Sequence, residues 1–180
     1  MRKLEVGRAG VGFPRPGIIH SMSLSSLAAT LPVDGRQSPA ASAIARGTTR
    51  LLHAHGFAVV SELALASGRR ADLVALAADC EIWIVEIKSS VADFRADRKW
   101  MDYRAHCDRL FFATTLDVPC EIFPPDTGLI VADAYAASIK CEAPEHRLHP
   151  STRRSMMLAF ARAAALRLAV LADPEGPGAL

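Results

Sequence analysis

RRADLVALAADCEIWIVEIK, residues 69–88, is the stretch whose reading decides the fold. Two short apolar runs within it, Arg70 to Ala78 and Glu81 to Lys88, have strand length and β-branched or aromatic content, and AADCE between them is hairpin-turn material. In the second run a period of two puts Ile82, Ile84, Glu86 and Lys88 on one face and Trp83, Val85 and Ile87 on the other. Both faces are mainly apolar until the strand ends, which predicts a central, covered strand. A charge at its terminus is costly unless it is paired or holds a metal. Antiparallel pairing of the two runs would bring Asp72 beside Glu86. Two carboxylates would then be available for a divalent cation, with Lys88 near a developing negative charge.

Upstream, FAVVSELALA (residues 57–66) reads as a third strand, turned into the organising pair by Ser67 and Gly68. Glu62 interrupts it. Either this is an edge strand with an outward-facing acid, or Glu62 is a third carboxylate aimed at the same terminus. Ser38 and Pro39 start a helix that Gly56 stops, with Ile44, Leu51, Leu52 and His55 roughly on one side. His53 and His55 lie about 200° apart around such a helix and cannot share a metal there. Residues 1–38 lack sustained periodicity and are rich in Gly, Pro and Ser, so they read as an arm, with Met22 as an alternative start. The folded domain is expected over residues 39–172, followed by a frayed tail at 173–180.

Downstream, residues 91–107, VADFRADRKWMDYRAHC, read as one highly charged helix. Its cations alternate with Asp93, Asp97 and Asp102 at ion-pair spacing, which suits a solvated face. The other reading is that Arg95, Arg98 and Lys99, with Trp100 and Tyr103 clustered beside them, contact phosphate. RLFFAT (109–114) and GLIVAD (128–133) read as strands, Val118 to Phe123 as a short extended segment, and Tyr135 to Lys140 as a continuation or a hairpin. Ser151 is placed to cap a last helix whose stripe is Met156, Met157, Phe160, Ala164 and Leu168. The order predicts an α/β layer protein, a mixed sheet of about five strands flanked by helices.

The chain has 180 residues, 51% of them apolar, enough for one domain with a real core. Its net charge of +2 gives no bulk support for a nucleic-acid partner, so any such case rests on local clusters. Arg162 and Arg167 interrupt the apolar C-terminal segment, so no membrane span is expected, and a cytoplasmic protein follows. Cys80, Cys107, Cys120 and Cys141 form no CxxC pair and read as buried thiols. Neither a glycine-rich phosphate loop nor a GxSxG elbow occurs, which removes the usual apparatus of nucleotide-dependent transfer and serine hydrolysis.

Asp72 followed by Glu86-x-Lys88 resembles the motif of the PD-(D/E)xK nuclease superfamily, and GRRADLVAL, IVEIKSSVADFRADRKWMDY and CDRLFFA resemble the MmcB-like DNA-repair family within it. The resemblance covers about residues 40–170. It implies a restriction-endonuclease-like core, bacterial DNA repair and phosphodiester hydrolysis dependent on Mg²⁺ or Mn²⁺. It also implies Asp72, Glu86 and the carbonyl of Ile87 as metal ligands and Lys88 beside the attacking water. Glu62 is the nearest match to the superfamily's auxiliary acid. Lys99, Arg95, Arg98, Trp100, Tyr103 and Arg70 would then meet DNA. The residue before the acid is Ala71 rather than Pro. Other repair proteins are expected as further partners, and a homodimer is compatible with the sequence. Two alternatives remain open: a DNA-binding or recruitment protein of the same fold with weak or no cleavage, and a structural domain in which Glu86 and Lys88 form an ion pair.

Overall fold

A strand buried at every position needs neighbours on both edges and a layer on both faces. Ile82–Ile87 is such a strand. In the computed structural model, which describes residues 38–175, it is β3 of an open six-stranded sheet. The others are β1 (Ala58–Ala64), β2 (Arg70–Leu76), β4 (Arg109–Thr114), β5 (Gly128–Ala132) and β6 (Ala137–Cys141), ordered in space as in sequence. β1, β2 and β3 form an antiparallel meander, β4 and β5 join parallel to β3, and β6 closes antiparallel on β5. The architecture is the mixed, helix-flanked sheet expected, with the Tyr135–Lys140 region hairpinning back as a sixth strand.

Alternation along β3 sorts the layers as the sequence pattern implied. Trp83, Val85 and Ile87 face helix α1 (Pro39–Ala54) together with Phe111 and Ile130. Ile82 and Ile84 face helix α3 (Pro150–Ala172) with Met156 and Phe160. Each large apolar side chain so removed from water contributes about 1.5–3 kcal/mol. Ser38 Oγ accepts the Ala41 N–H at 3.1 Å, which caps α1, and Gly56 with φ +84° turns the chain out of it. Leu51 is half-buried and His55 exposed, so the buried stripe of α1 is Ile44, Gly47, Thr48 and Leu52.

Several local expectations are corrected. Residues 91–107 are not one helix: α2 spans only Val91–Ala96, and a 3₁₀ helix follows at Trp100–His106. Residues 120–122 form a 3₁₀ turn, not an extended segment. His149, not Ser151, caps α3, its ring accepting the Ser151 N–H, with Pro150 at the first helical position. Leu168 is exposed, so the buried stripe of α3 ends earlier than expected. Cys107 is buried, but Cys120 and Cys141 are exposed. By length and composition alone α3 is long and apolar enough to cross a membrane, despite Arg162 and Arg167. The proposed arm, the alternative start at Met22 and the last residues of the tail lie outside the described residues.

The end of the sheet that carries the start of β3 is fastened by one carboxylate. Asp108, 1% exposed, accepts the Ile82 N–H at 2.8 Å, the Leu148 N–H at 3.0 Å and a two-pronged Arg153 guanidinium at 2.7 and 2.6 Å. Burial pushes its pKa up, but these four donors pull it below the ordinary value. The first turn of α3 and the loop before it are thereby tied to the sheet.

Helix α1 reaches the β5–β6 turn at Gly47, where an added Cβ would lie 2.2 Å from the Asp133 carbonyl oxygen and 2.6 Å from that of Ala136. Gly to Ala inside a helix ordinarily stabilises by up to about 1 kcal/mol. Here the clash is with backbone that cannot step aside, so Gly47→Ala is expected to destabilise by roughly 1–3 kcal/mol. Urea denaturation decides it; a stabilised variant would mean that α1 is free to shift.

Candidate active site

Pairing of β2 with β3 runs from Leu76↔Ile82 to Leu73↔Val85 and stops there. Beyond that point Ala71 and Arg70 continue along β1, whereas Glu86 and Ile87 continue along β4. The two central strands therefore diverge. Backbone N–H groups left in such a fork need partners. Asp72 and Glu86 supply them reciprocally: Asp72 Oδ2 accepts the Ile87 N–H at 2.8 Å, and Glu86 Oε1 accepts the Asp72 N–H at 3.2 Å. Among the described residues, the second oxygens, Asp72 Oδ1 and Glu86 Oε2, are clear of backbone donors.

Crowding two carboxylates in a half-dry fork disfavours their charges. Burial, opposed in part by the Ile87 N–H, pushes Asp72 up to about 6. Burial and then the neighbouring Asp72 charge push Glu86 up to about 8. Lys88, 5% exposed, lies just past the end of β3, with Nζ 4.0 Å from Glu86 Oε2 but only 2.6 Å from Asp97 Oδ2. Burial works against the Lys88 ammonium, but the Asp97 hydrogen bond and the surrounding carboxylates outweigh it and raise its pKa. Asp97 is lowered in turn: burial pushes it up, but the Lys88 hydrogen bond, the Lys99 N–H and the charges of Lys88 and Arg69 together outweigh that.

Asp97 is why the charged segment is not one helix. Its backbone is extended at φ −89°, ψ 96°, and its other oxygen accepts the Lys99 N–H at 2.9 Å, a local turn that competes with helical bonding. Sequence reading counted Asp97 as part of a solvated face, since nothing in the spacing marks a carboxylate that leaves its helix. Asp93 carries a clearer signal. SSVAD places Ser90 Oγ on the Asp93 N–H at 3.1 Å, while Asp93 Oδ2 takes the Ser89 N–H at 3.0 Å, a reciprocal cap at the start of α2.

Asp72, Glu86, Ile87 and Lys88 thus share one cleft of about 620 Å³, which Arg69, Asp97, Lys99 and Tyr103 also line. Glu62 falls in the β1–β2 ladder at the step between Ser61↔Leu73 and Leu63↔Ala71, level with Asp72. Its φ of +51° is a strained value for this residue type. β1 is an edge strand, and Glu62 pairs with Arg70, yet its charge still bears on Asp72. Arg95, Arg98 and Lys99 are exposed. Trp100 packs edge-on against Phe112 with Arg104 over its ring, and the buried Tyr103 donates its hydroxyl to the Arg70 carbonyl at 3.2 Å. Trp100 is half-buried in these contacts, whereas Tyr103 also lines the cleft beside Glu86, and burial together with the Glu86 charge raises its pKa.

Among the described residues no cluster of three or more His, Cys, Asp or Glu side chains is arranged to hold a metal. The acidic pair at the fork is the donor set that the cleft presents.

The family model described as MmcB-like, DNA repair protein MmcB-like, matches residues 29–175. No curated protein matches the chain. A solved structure of a protein of unknown function from Silicibacter pomeroyi is 46% identical, with a TM-score of 0.75, over 78% of this chain and 96% of that one.

The pair sets a pH dependence. Both carboxyls have folded pKa values above their solution values of 3.8 and 4.5, so the stability they contribute is full below about pH 4 and is lost as pH rises through about 6 and about 8. Raised Lys88 and lowered Asp97 act outside that window. Metal-free protein is therefore expected to lose stability between about pH 4 and about pH 8, with the part above about pH 6 due to Glu86 alone, by at most about 1.4 kcal/mol per pH unit per proton. The Glu86→Gln variant should lose less. Denaturant melts across this range test it, and parallel curves for the two proteins would reject the assignment.

Proposed function

The chain belongs to the MmcB-like family of DNA-repair proteins, and from that premise we propose that it is a divalent-metal-dependent DNA endonuclease acting at the fork between β2 and β3. The observation that carries the reading is the reciprocal carboxylate pair: two acids held by each other's backbone, raised in pKa, beside one lysine. Acids whose ionisation is resisted by the empty protein suit a bound cation, which would neutralise them and displace their protons. Asp72, Glu86 and the Ile87 carbonyl would hold Mg²⁺ or Mn²⁺, and the cation would supply Lewis-acid charge stabilisation and a water acidic enough to attack at neutral pH.

The chain's own groups do the rest. The backbone bonds to Ile87 and Asp72 fix both carboxylates without recruiting a long side chain, so their geometry survives substrate entry. Lys88, charged and anchored at the end of a buried strand, orients the attacking water or offsets charge on the phosphorane. Glu62, level with Asp72, adds negative charge from the β1 side and is the auxiliary acid of this reading. Arg95, Arg98 and Lys99 contact the phosphate backbone, which makes binding salt-dependent and largely independent of sequence. In this reading Arg70, exposed and paired with Glu62, also meets the DNA.

One observation favours a second reading. Among the described residues two carboxylates meet in the fork, and Lys88 pairs more closely with Asp97, an arrangement that also suits a DNA-binding repair protein without cleavage.

Incubation with duplex, nicked, flapped and forked DNA, with and without Mn²⁺, separates the two readings. Metal-dependent nicking that is lost in Lys88→Ala supports the nuclease, and DNA binding without nicking supports the second reading. By calorimetry, Asp72→Asn with Glu86→Gln is expected to abolish Mn²⁺ binding while preserving or raising the stability of the metal-free protein; undiminished Mn²⁺ affinity would reject the site. Lys99→Ala should weaken DNA binding uniformly across sequences and lower the salt slope by roughly one. An unchanged slope would return Lys99 to the solvated face.

A further inference from the structure

The outermost stripe of helix α3, the side turned away from the sheet, is Arg154, Leu158, Ala161, Ala165, Leu168 and Ala172, all exposed. A surface helix ordinarily presents polar residues there. These positions step by four and three alternately, the spacing of a helix–helix seam, and the two leucines are 56% and 63% exposed. The inner four positions of the stripe are also palindromic about Ala163: Leu158 mirrors Leu168, and Ala161 mirrors Ala165. Small residues sit at the centre, where two backbones would approach most closely, and leucines flank them.

We infer that α3 is a self-association surface, on which a second copy of this chain packs its own α3 antiparallel about a two-fold axis at Ala163. A two-fold axis makes residue i meet j as j meets i, and about Ala163 it sets Leu158 against Leu168 and Ala161 against Ala165. Charge agrees with the register. Arg154 at one end of the stripe would come beside Asp173 of the other copy, next to the mirror position Ala172, and both residues are exposed. A depression lined by Leu148, Met157 and Leu158 and rimmed by Arg147, Arg153 and Arg154 flanks the first half of α3. The same two-fold axis carries the second half of the other copy's helix across it. Arg162 lies to one side of the stripe, in solvent. The proposal is independent of the nuclease reading, since the cleft lies at the divergent end of β2 and β3.

Sedimentation equilibrium of the full chain at micromolar to high micromolar concentration tests it. A reversible monomer–dimer equilibrium is expected, weakened about tenfold or more by Leu168→Glu with no loss in thermal midpoint of the monomer. Arg154→Glu and Asp173→Arg should each weaken it, and the two together should restore it. If Leu168→Glu lowers the midpoint, the charge exchange at exposed ends of the helix still decides. A monomer at every concentration, a dimer indifferent to these substitutions, a double variant that fails to recover, or binding of α3 to phospholipid vesicles by a protein that stays monomeric would each overturn the proposal.

Discussion

The site exists because β2 and β3 part company after Leu73↔Val85. A sheet that kept its ladder to the end would satisfy every backbone donor and leave no room for a carboxylate between the strands. Divergence leaves two N–H groups to be answered, and the side chains that answer them are Asp72 and Glu86. The acids consequently close the fork with the same bonds that crowd their charges together. Each is held within hydrogen-bond reach of the other's strand, which is why neither can swing into water to relieve the crowding that raises both pKa values.

Asp97 belongs to the same economy of charge. A lysine 5% exposed at a strand end needs a counter-charge, and Glu86, at 4.0 Å and itself disfavoured as an anion, is a poor one. The chain breaks its helix after Ala96 to bring a third carboxylate within 2.6 Å. The break sends the remaining segment on as a 3₁₀ helix that seats Trp100 on Phe112 and buries Tyr103 under the fork. A local electrostatic requirement at Lys88 thus shapes the crossover between β3 and β4.

Much of this was legible before any coordinates. The period-two alternation of Ile82–Lys88 specified both faces of β3, and thirteen residues between Asp72 and Glu86 left an antiparallel hairpin as the way to bring them together. What sequence could not show was where periodicity yields to a contact with a distant residue. Residues 91–107 have helical composition throughout, and only the position of Lys88 in space explains their break. Asp108 was equally silent: an acid at the start of a strand acquires meaning only when Ile82, Leu148 and Arg153 converge on it. His149 hid as a cap because the Ser two residues later is the commoner choice.

The two ends of β3 are opposites in electrostatic design. At Ile82 the buried Asp108 is surrounded by four donors and is held as an anion below its ordinary pKa. At Ile87 two acids share two backbone donors between them and are driven the other way. Burial acts in the same direction at both ends, so it cannot be what distinguishes them; the count and charge of the donors is. A carboxylate that a fold needs for stability is given its cation within the chain, as Arg153 is given to Asp108. At the fork the nearest cation, Lys88, makes its closer ion pair with Asp97, and the two acids are left with an ammonium 4.0 Å from Glu86 and with raised pKa values.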